Sequence, residues 1–254
     1  MPDALADRLR GNGRIHLVPY LMAGFPDRDG SVALGRRYAA AGAAAIEVGV
    51  PFSDPLADGP VIQQAGQQAL EGGMTLAGSL AVAGEVAAAG APVVLMTYVN
   101  PVLRYGVERF AREAAAAGVA GVIVPDLPVE ESGPVAEPIR AAGMDAIFLV
   151  APTSADARIA AIGKASSGFV YCVSVTGVTG ARDELDPGVA GLLAQVRRHT
   201  AVPVAVGFGI SRPQHIGALR GQADAAVVAS ALLARIQAGG DPQPLLEDLV
   251  SACQ

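Results

Sequence analysis

Eight short apolar runs, separated by Ala-rich helical stretches in a chain without a composition break, predict an α/β fold closed into a (β/α)8 TIM barrel. The runs fall at residues 17–22, 45–50, 93–98, 121–124, 146–150, 169–173, 202–206 and 225–228. They are continuously apolar and about 4–6 residues long, as expected of strands buried on both faces. The 254 residues fit one such barrel, read as a single domain over residues 1–254. An open doubly wound sheet is the competing arrangement, but the early GxGxxG turn that marks its nucleotide-binding form is absent.

The elements follow in order. A short helix at 4–10 precedes the first strand and caps the barrel floor. Stretches such as 39–50, 87–98, 114–126 and 141–152 each begin with a helix end, pass a glycine and enter a strand. Gly42, Gly90, Gly118 and Gly143 stand where a residue just past a helix needs left-handed φ. The second strand is followed by an extra helix at 59–71 and then a main helix near 78–89. A further extra helix follows the eighth strand.

Composition narrows the function. The chain is 52% hydrophobic and 17% charged, with a net charge of −6. That is ample for a large core and gives nucleic-acid binding no support. The two cysteines, Cys172 and Cys253, lack metal-ligand spacing, and a reducing cytoplasm is expected. The N-terminus has no apolar signal region, and no run reads as membrane-spanning.

In a barrel of this class the chemistry sits where the strands end. Glu47 is the most informative residue there, lying within the apolar strand IEVGV. If Ile46, Val48 and Val50 face the helices, Glu47 and Gly49 face the interior. Desolvation would raise the pKa of such a carboxylate and suit it to acid–base work near neutral pH. The alternative is a structural Glu paired with a buried arginine, although no arginine falls within the eight runs. Asp58, before Gly59-Pro60, reads equally as a helix cap, and Asp54, before Pro55, as an Asx turn.

Three segments suit a phosphate: 174–180 (SVTGVTG), 207–211 (GFGIS) and Ser230 after the last strand. Bare backbone N–H groups and a helix N-terminus favour an anion, though tight turns also use glycine. Tyr20, Tyr98 and Tyr171 fall near strand ends, where they could wall a planar substrate or simply pack the core. The single lysine, Lys164, lies in the helix before the sixth strand, at the wrong end for a Schiff base. His16 and His199 precede strands, and His215 lies in the helix after the seventh, so no metal cluster is expected at the top. Cys172 lies inside a strand. Cofactor-free carboxylate chemistry on a phosphorylated, partly apolar substrate remains.

At these residues the sequence resembles the tryptophan synthase alpha chain family. The segment 47–60 (EVGVPFSDPLADGP) carries the resemblance most specifically. Residues 125–132 (PDLPVEES), 174–180 and 207–211 follow in order, so that it spans about residues 18–231. The resemblance implies retro-aldol cleavage of indole-3-glycerol phosphate to indole and glyceraldehyde 3-phosphate. It makes Glu47 the general acid–base and Asp58 the carboxylate that binds the indole N–H. Tyr171 would position Glu47, with Tyr20 and Tyr98 also at the substrate. Thr179, Gly180, Gly207, Gly209 and Ser230 would surround the phosphate. No cofactor is implied in this chain, and pyridoxal phosphate is expected in a beta partner. That partner would dock through loops including 51–58 and 100–105, giving an α2β2 tetramer. Two departures stand out. Val175 replaces an arginine of some members, and Ala229 replaces a common glycine beside the phosphate. A free-standing lyase and a non-catalytic sugar-phosphate-binding barrel are the competing readings, as is a sugar-phosphate isomerase on the same scaffold.

Overall fold

Parallel strands form one continuous sheet in the computed structural model, which describes residues 4–11, 13–173, 188–207 and 209–254. The strands are β1 (His16–Met22), β2 (Ile46–Gly49), β3 (Val93–Met96), β4 (Val119–Ile123), β5 (Asp145–Ile147), β6 (Leu149–Val150), β7 (Val170–Val173), β8 (Val204–Gly207) and β9 (Ala225–Val228). Their order is β5-β4-β3-β2-β1-β9-β8-β7-β6. The two ends of that order, β5 and β6, are separated in the chain only by Phe148. They are two pieces of the fifth predicted strand, so the eight predicted strands close as a barrel. The break occurs where pairing changes sides. β5 bonds to β4 and β6 bonds to β7, while the Phe148 carbonyl accepts the Tyr171 N–H at 3.0 Å.

The remaining strands stand where the sequence places them, with ends shifted by at most two residues. β2 is shorter than 45–50 and β3 shorter than 93–98, because their last residues already turn into loops. β4 starts earlier than 121–124, at Val119, opposite Val93. His16 begins β1 instead of preceding it. The four helix-ending glycines all have left-handed φ, between 80° and 94°.

Helices cover the outside. α1 (Ala4–Leu9) lies at the floor and sends Leu5 and Leu9 into the barrel core. α2 (Arg28–Ala40) follows β1. The extra helix after β2 is α3 (Pro60–Glu71), with α4 (Leu76–Ala87) behind it. The region after β3 holds two helices, α5 (Val99–Tyr105) and α6 (Val107–Ala116). The sequence predicts extra helices only after the second and eighth strands; here Gly106 ends α5 and starts α6. After β4 come a 3-10 turn (Val129–Glu131) and α7 (Gly133–Ala141). α8 (Asp156–Ala165), α9 (Gly188–Arg197) and α10 (Pro213–Ala218) continue the ring. β9 is followed by α11 (Ser230–Gln237) and α12 (Gln243–Cys253), the expected extra helix. Among the described residues, no helix is long and apolar enough to cross a membrane.

Two layers of apolar packing result. Ile46, Val48, Leu95 and Val206 join the helices in the outer core, while Val18, Tyr20, Val94, Tyr171 and Ala205 fill the barrel. Strand alternation produces this division and fixes which residues face the site.

Candidate active site

Glu47 points into the barrel. It is paired with Tyr20 on β1 and Val94 on β3, both interior residues, while Ile46, Val48 and Val50 pack outward. The residue is 1% exposed, and its Oε2 has no hydrogen-bond partner. Burial raises its pKa, and the Asp58 charge adds to this, to about 8. Among the described residues, no arginine is a partner of that carboxylate.

Two glycines open the interior to tyrosines. A Cβ on Gly49 would lie 1.9 Å from the Tyr20 hydroxyl oxygen, and one on Gly207 2.0 Å from that of Tyr171. Each tyrosine therefore reaches across to a neighbouring strand that carries no side chain at that level. Both rings are almost fully buried, and burial and the nearby carboxylates push both hydroxyls well above the ordinary phenol range.

Asp58 reaches the site from the loop after β2. The Asp58 N–H bonds to the Pro55 carbonyl at 3.0 Å, which turns the chain just before α3. Gly59, not Asp58, occupies the N-cap position of α3, and no side chain caps that end. The helix-cap reading is therefore corrected: Pro60 at the first helical position has no N–H to satisfy, and the Asp58 carboxylate turns to the cavity. Burial raises its pKa to about 6, and a hydrogen bond from the Tyr98 hydroxyl opposes the rise. That hydroxyl also accepts the Ala57 N–H at 3.1 Å. Asp54 is exposed, and its main-chain carbonyl, not its carboxylate, accepts the Leu56 N–H.

A cavity of about 200 Å³ joins these groups. Tyr20, Glu47, Asp58 and Tyr171 line one part of it. Val61, Ile62, Met96 and Val227 give it apolar walls suited to a flat ring. Gly209, Ser211, Ala229 and Ser230 form another part. Gly209 has φ 80°, a conformation that a side chain would strain. Ser230 opens α11, whose N-terminus has no side-chain cap and so favours an anion. Ala229 has φ −115°, which any L-residue tolerates, so its Cβ costs no backbone strain.

Not every predicted residue reaches the cavity wall. Tyr98 stands behind Asp58, and Gly207 behind Tyr171. Thr179 and Gly180, with the whole loop 174–187, lie outside the described residues, as do Val175 and Phe208. Sequence reasoning missed Ile62, Met96 and Ser211. Ile62 and Met96 read as ordinary core residues. Ser211 belongs to the GFGIS segment, in which the glycines carry the signal, and its buried hydroxyl has no partner among the described residues.

The other ionisable and nucleophilic residues weighed in the sequence lie away from the cavity. Lys164 lies in α8. His16 approaches the Arg10 carbonyl at 3.0 Å, and His199 the Asp156 carboxylate at 3.0 Å, both away from the cavity. Among the described residues, no three His, Cys, Asp or Glu side chains are grouped to hold a metal ion. Burial lifts the Cys172 thiol to about 12 and that of Cys253 to about 11, so neither is a ready nucleophile.

Comparison with known proteins identifies a family. Residues 6–254 match the profile of the family described as "Tryptophan synthase alpha chain". The chain belongs to the tryptophan synthase alpha chain family. Alpha chains from Roseiflexus castenholzii and Chloroflexus aurantiacus are each 50% identical to it, over 89% and 91% of this chain and 87% of either relative. The alpha chain of Trichormus variabilis is 44% identical over 99% of this chain and 96% of its own length. Among solved structures, tryptophan synthase of Mycobacterium tuberculosis superposes with a TM-score of 0.92 at 41% identity, covering 98% of this chain and 96% of that one. A chain of the tryptophan synthase a2b2 complex of Pyrococcus furiosus gives 0.87 at 38%, covering 96% and 98%. In this alpha chain family member, then, the segment 47–60 supplies both cavity carboxylates.

Proposed function

We propose that this chain cleaves indole-3-glycerol phosphate to indole and glyceraldehyde 3-phosphate as the alpha subunit of a tryptophan synthase. One observation carries the reading beyond family membership. Glu47 and Asp58 line the same cavity with pKa values raised to about 8 and about 6. Near pH 7 the first is mostly a proton donor and the second mostly an anion.

The reaction uses that difference. Protonated Glu47 donates to the indole ring carbon that carries the glycerol chain, and Asp58 accepts the ring N–H and stabilises the developing cation. The bond from that carbon to the chain breaks, and its electron pair returns to the ring. The hydroxyl on the released carbon becomes the aldehyde, and its proton goes to the Glu47 carboxylate. Tyr20 and Tyr171 exclude water beside the ring, and Tyr98 holds Asp58. Backbone N–H groups of Gly180, Gly209 and Ser230, flanked by Thr179 and Gly207, bind the phosphate in this reading. No cofactor is needed in this chain, which acts as one domain in the cytoplasm.

Indole would pass to a beta chain carrying pyridoxal phosphate, in an α2β2 assembly like that named for Pyrococcus furiosus. Leu56 and Leu103 support a docking face. They are 84% and 55% exposed and lie on the loop after β2 and on α5, both at the strand-end face of the barrel. The test is indole release from indole-3-glycerol phosphate with and without a beta chain. Slow release alone and strong activation by the partner are expected. Fast release without activation would favour a free-standing lyase, and no release in either case would refute the proposal.

A further inference from the structure

Tyr98 is held from both sides. Its hydroxyl accepts the Ala57 N–H at 3.1 Å and donates to the Asp58 carboxylate, and its ring packs against Phe52 with centroids 5.2 Å apart. Its backbone forms the N-cap of α5, with φ −91° and ψ 159°. A tyrosine there offers no side-chain acceptor to the first turn, and that turn has no acidic residue of its own. The missing acceptor comes from the next loop. The Asp126 carboxylate, beyond the end of β4, accepts the Val99 N–H at 2.9 Å. It caps α5 from outside the helix and adds a negative charge at the favoured end.

Three adjacent strand-end loops are thereby tied in series: Asp126 to the residue after Tyr98, and Tyr98 to Asp58. We infer that Asp126 is a positioning residue for the cleavage reaction, acting on Asp58 only through Tyr98. Asp126 is exposed and does not line the cavity, so it has no direct route to the substrate. This inference rests on the reading of Asp58 as the ring-binding carboxylate.

A double-substitution cycle on the isolated full chain tests it, with kcat/KM for indole release as the readout. Asp126→Ala is expected to lower kcat/KM about fivefold, the scale of a lost N-cap. Asp126→Asn, which keeps the acceptor oxygen, is expected to restore most of it. Tyr98→Phe lowers activity by itself, and adding Asp126→Ala to it is expected to cost nothing further, because the two act through one path. Inhibition by glycerol phosphate, which reports the far end of the cavity, stays at the parental value in every variant. A change there would mean general disruption and overturn the inference. Wild-type kcat/KM in Asp126→Ala, or additive losses in the double variant, would also overturn it. Absence of indole release in the parent chain would instead count against the proposed reaction.

Discussion

The negative charge of Asp58 reaches Glu47 across one cavity and adds to the burial that lifts the Glu47 pKa to about 8. The two carboxyls are therefore held in different protonation states near neutrality, Glu47 fully buried and Asp58 half-buried. The reaction needs Asp58 ionised and Glu47 protonated. Activity should rise through about pH 6 and fall through about pH 8. A kcat/KM profile for indole release measures this. A flat profile across that window would contradict the division of roles.

The same shifts make stability depend on pH. Glu47 binds its proton more tightly in the folded chain, at about 8, than at its ordinary 4.5. Between those values the folded state holds more protons than the unfolded state, so this group's contribution to stability falls as pH rises. Glu47→Gln removes that loss. Urea unfolding should give similar stabilities for the two proteins near pH 5. Near pH 8 the Gln variant should be the more stable, by about 2–4 kcal/mol. Parallel stability curves would show that Glu47 is not perturbed.

Much of this was legible in the sequence because parallel strands and their preceding helices leave strong marks. The apolar runs and the glycines at 42, 90, 118 and 143 located the strands, and alternation alone aimed Glu47 inward. Strand ends were less legible, since Val50 and Tyr98 are as apolar as the strands they follow. The split of the fifth strand at Phe148 depends on which neighbour each half meets, a tertiary fact. Asp58 was the hardest residue. Its local sequence is that of a helix cap, and only the packing of Tyr98 against the loop turns its carboxylate to the cavity. The resemblance to the alpha chain family, not spacing, had already suggested that role. Ile62 and Met96 carried no signal, since a cavity wall and a core look alike in apolar sequence.

The glycines that make room for the tyrosines should be intolerant of any side chain. Gly207→Ala places a methyl group 2.0 Å from the Tyr171 hydroxyl oxygen. It should lower unfolding stability by about 1–3 kcal/mol through overpacking and reduce indole release as Tyr171 shifts. Replacing Tyr171 with Leu in the same chain should return part of the stability. A Gly207→Ala protein as stable as its parent would show that the ring is free to move aside.

The exposed leucine of α5 should matter only when a partner is present. Leu103→Asp is expected to leave basal indole release unchanged, because the residue lies outside the cavity. It should weaken activation by a beta chain about tenfold or more, the cost of placing a charge in an apolar contact. Titrating the beta chain against a fixed amount of this chain measures it. Unaltered activation would move the docking face elsewhere.

Indole release by Glu47→Gln beside the parent chain, at saturating indole-3-glycerol phosphate and pH 7, tests the central claim most directly. Gln keeps the shape but can neither give nor take the proton, so the rate should fall by about 10²–10⁴-fold, with glycerol phosphate still binding. A Gln variant that released indole at the parental rate would contradict the assignment of Glu47 as the acid–base.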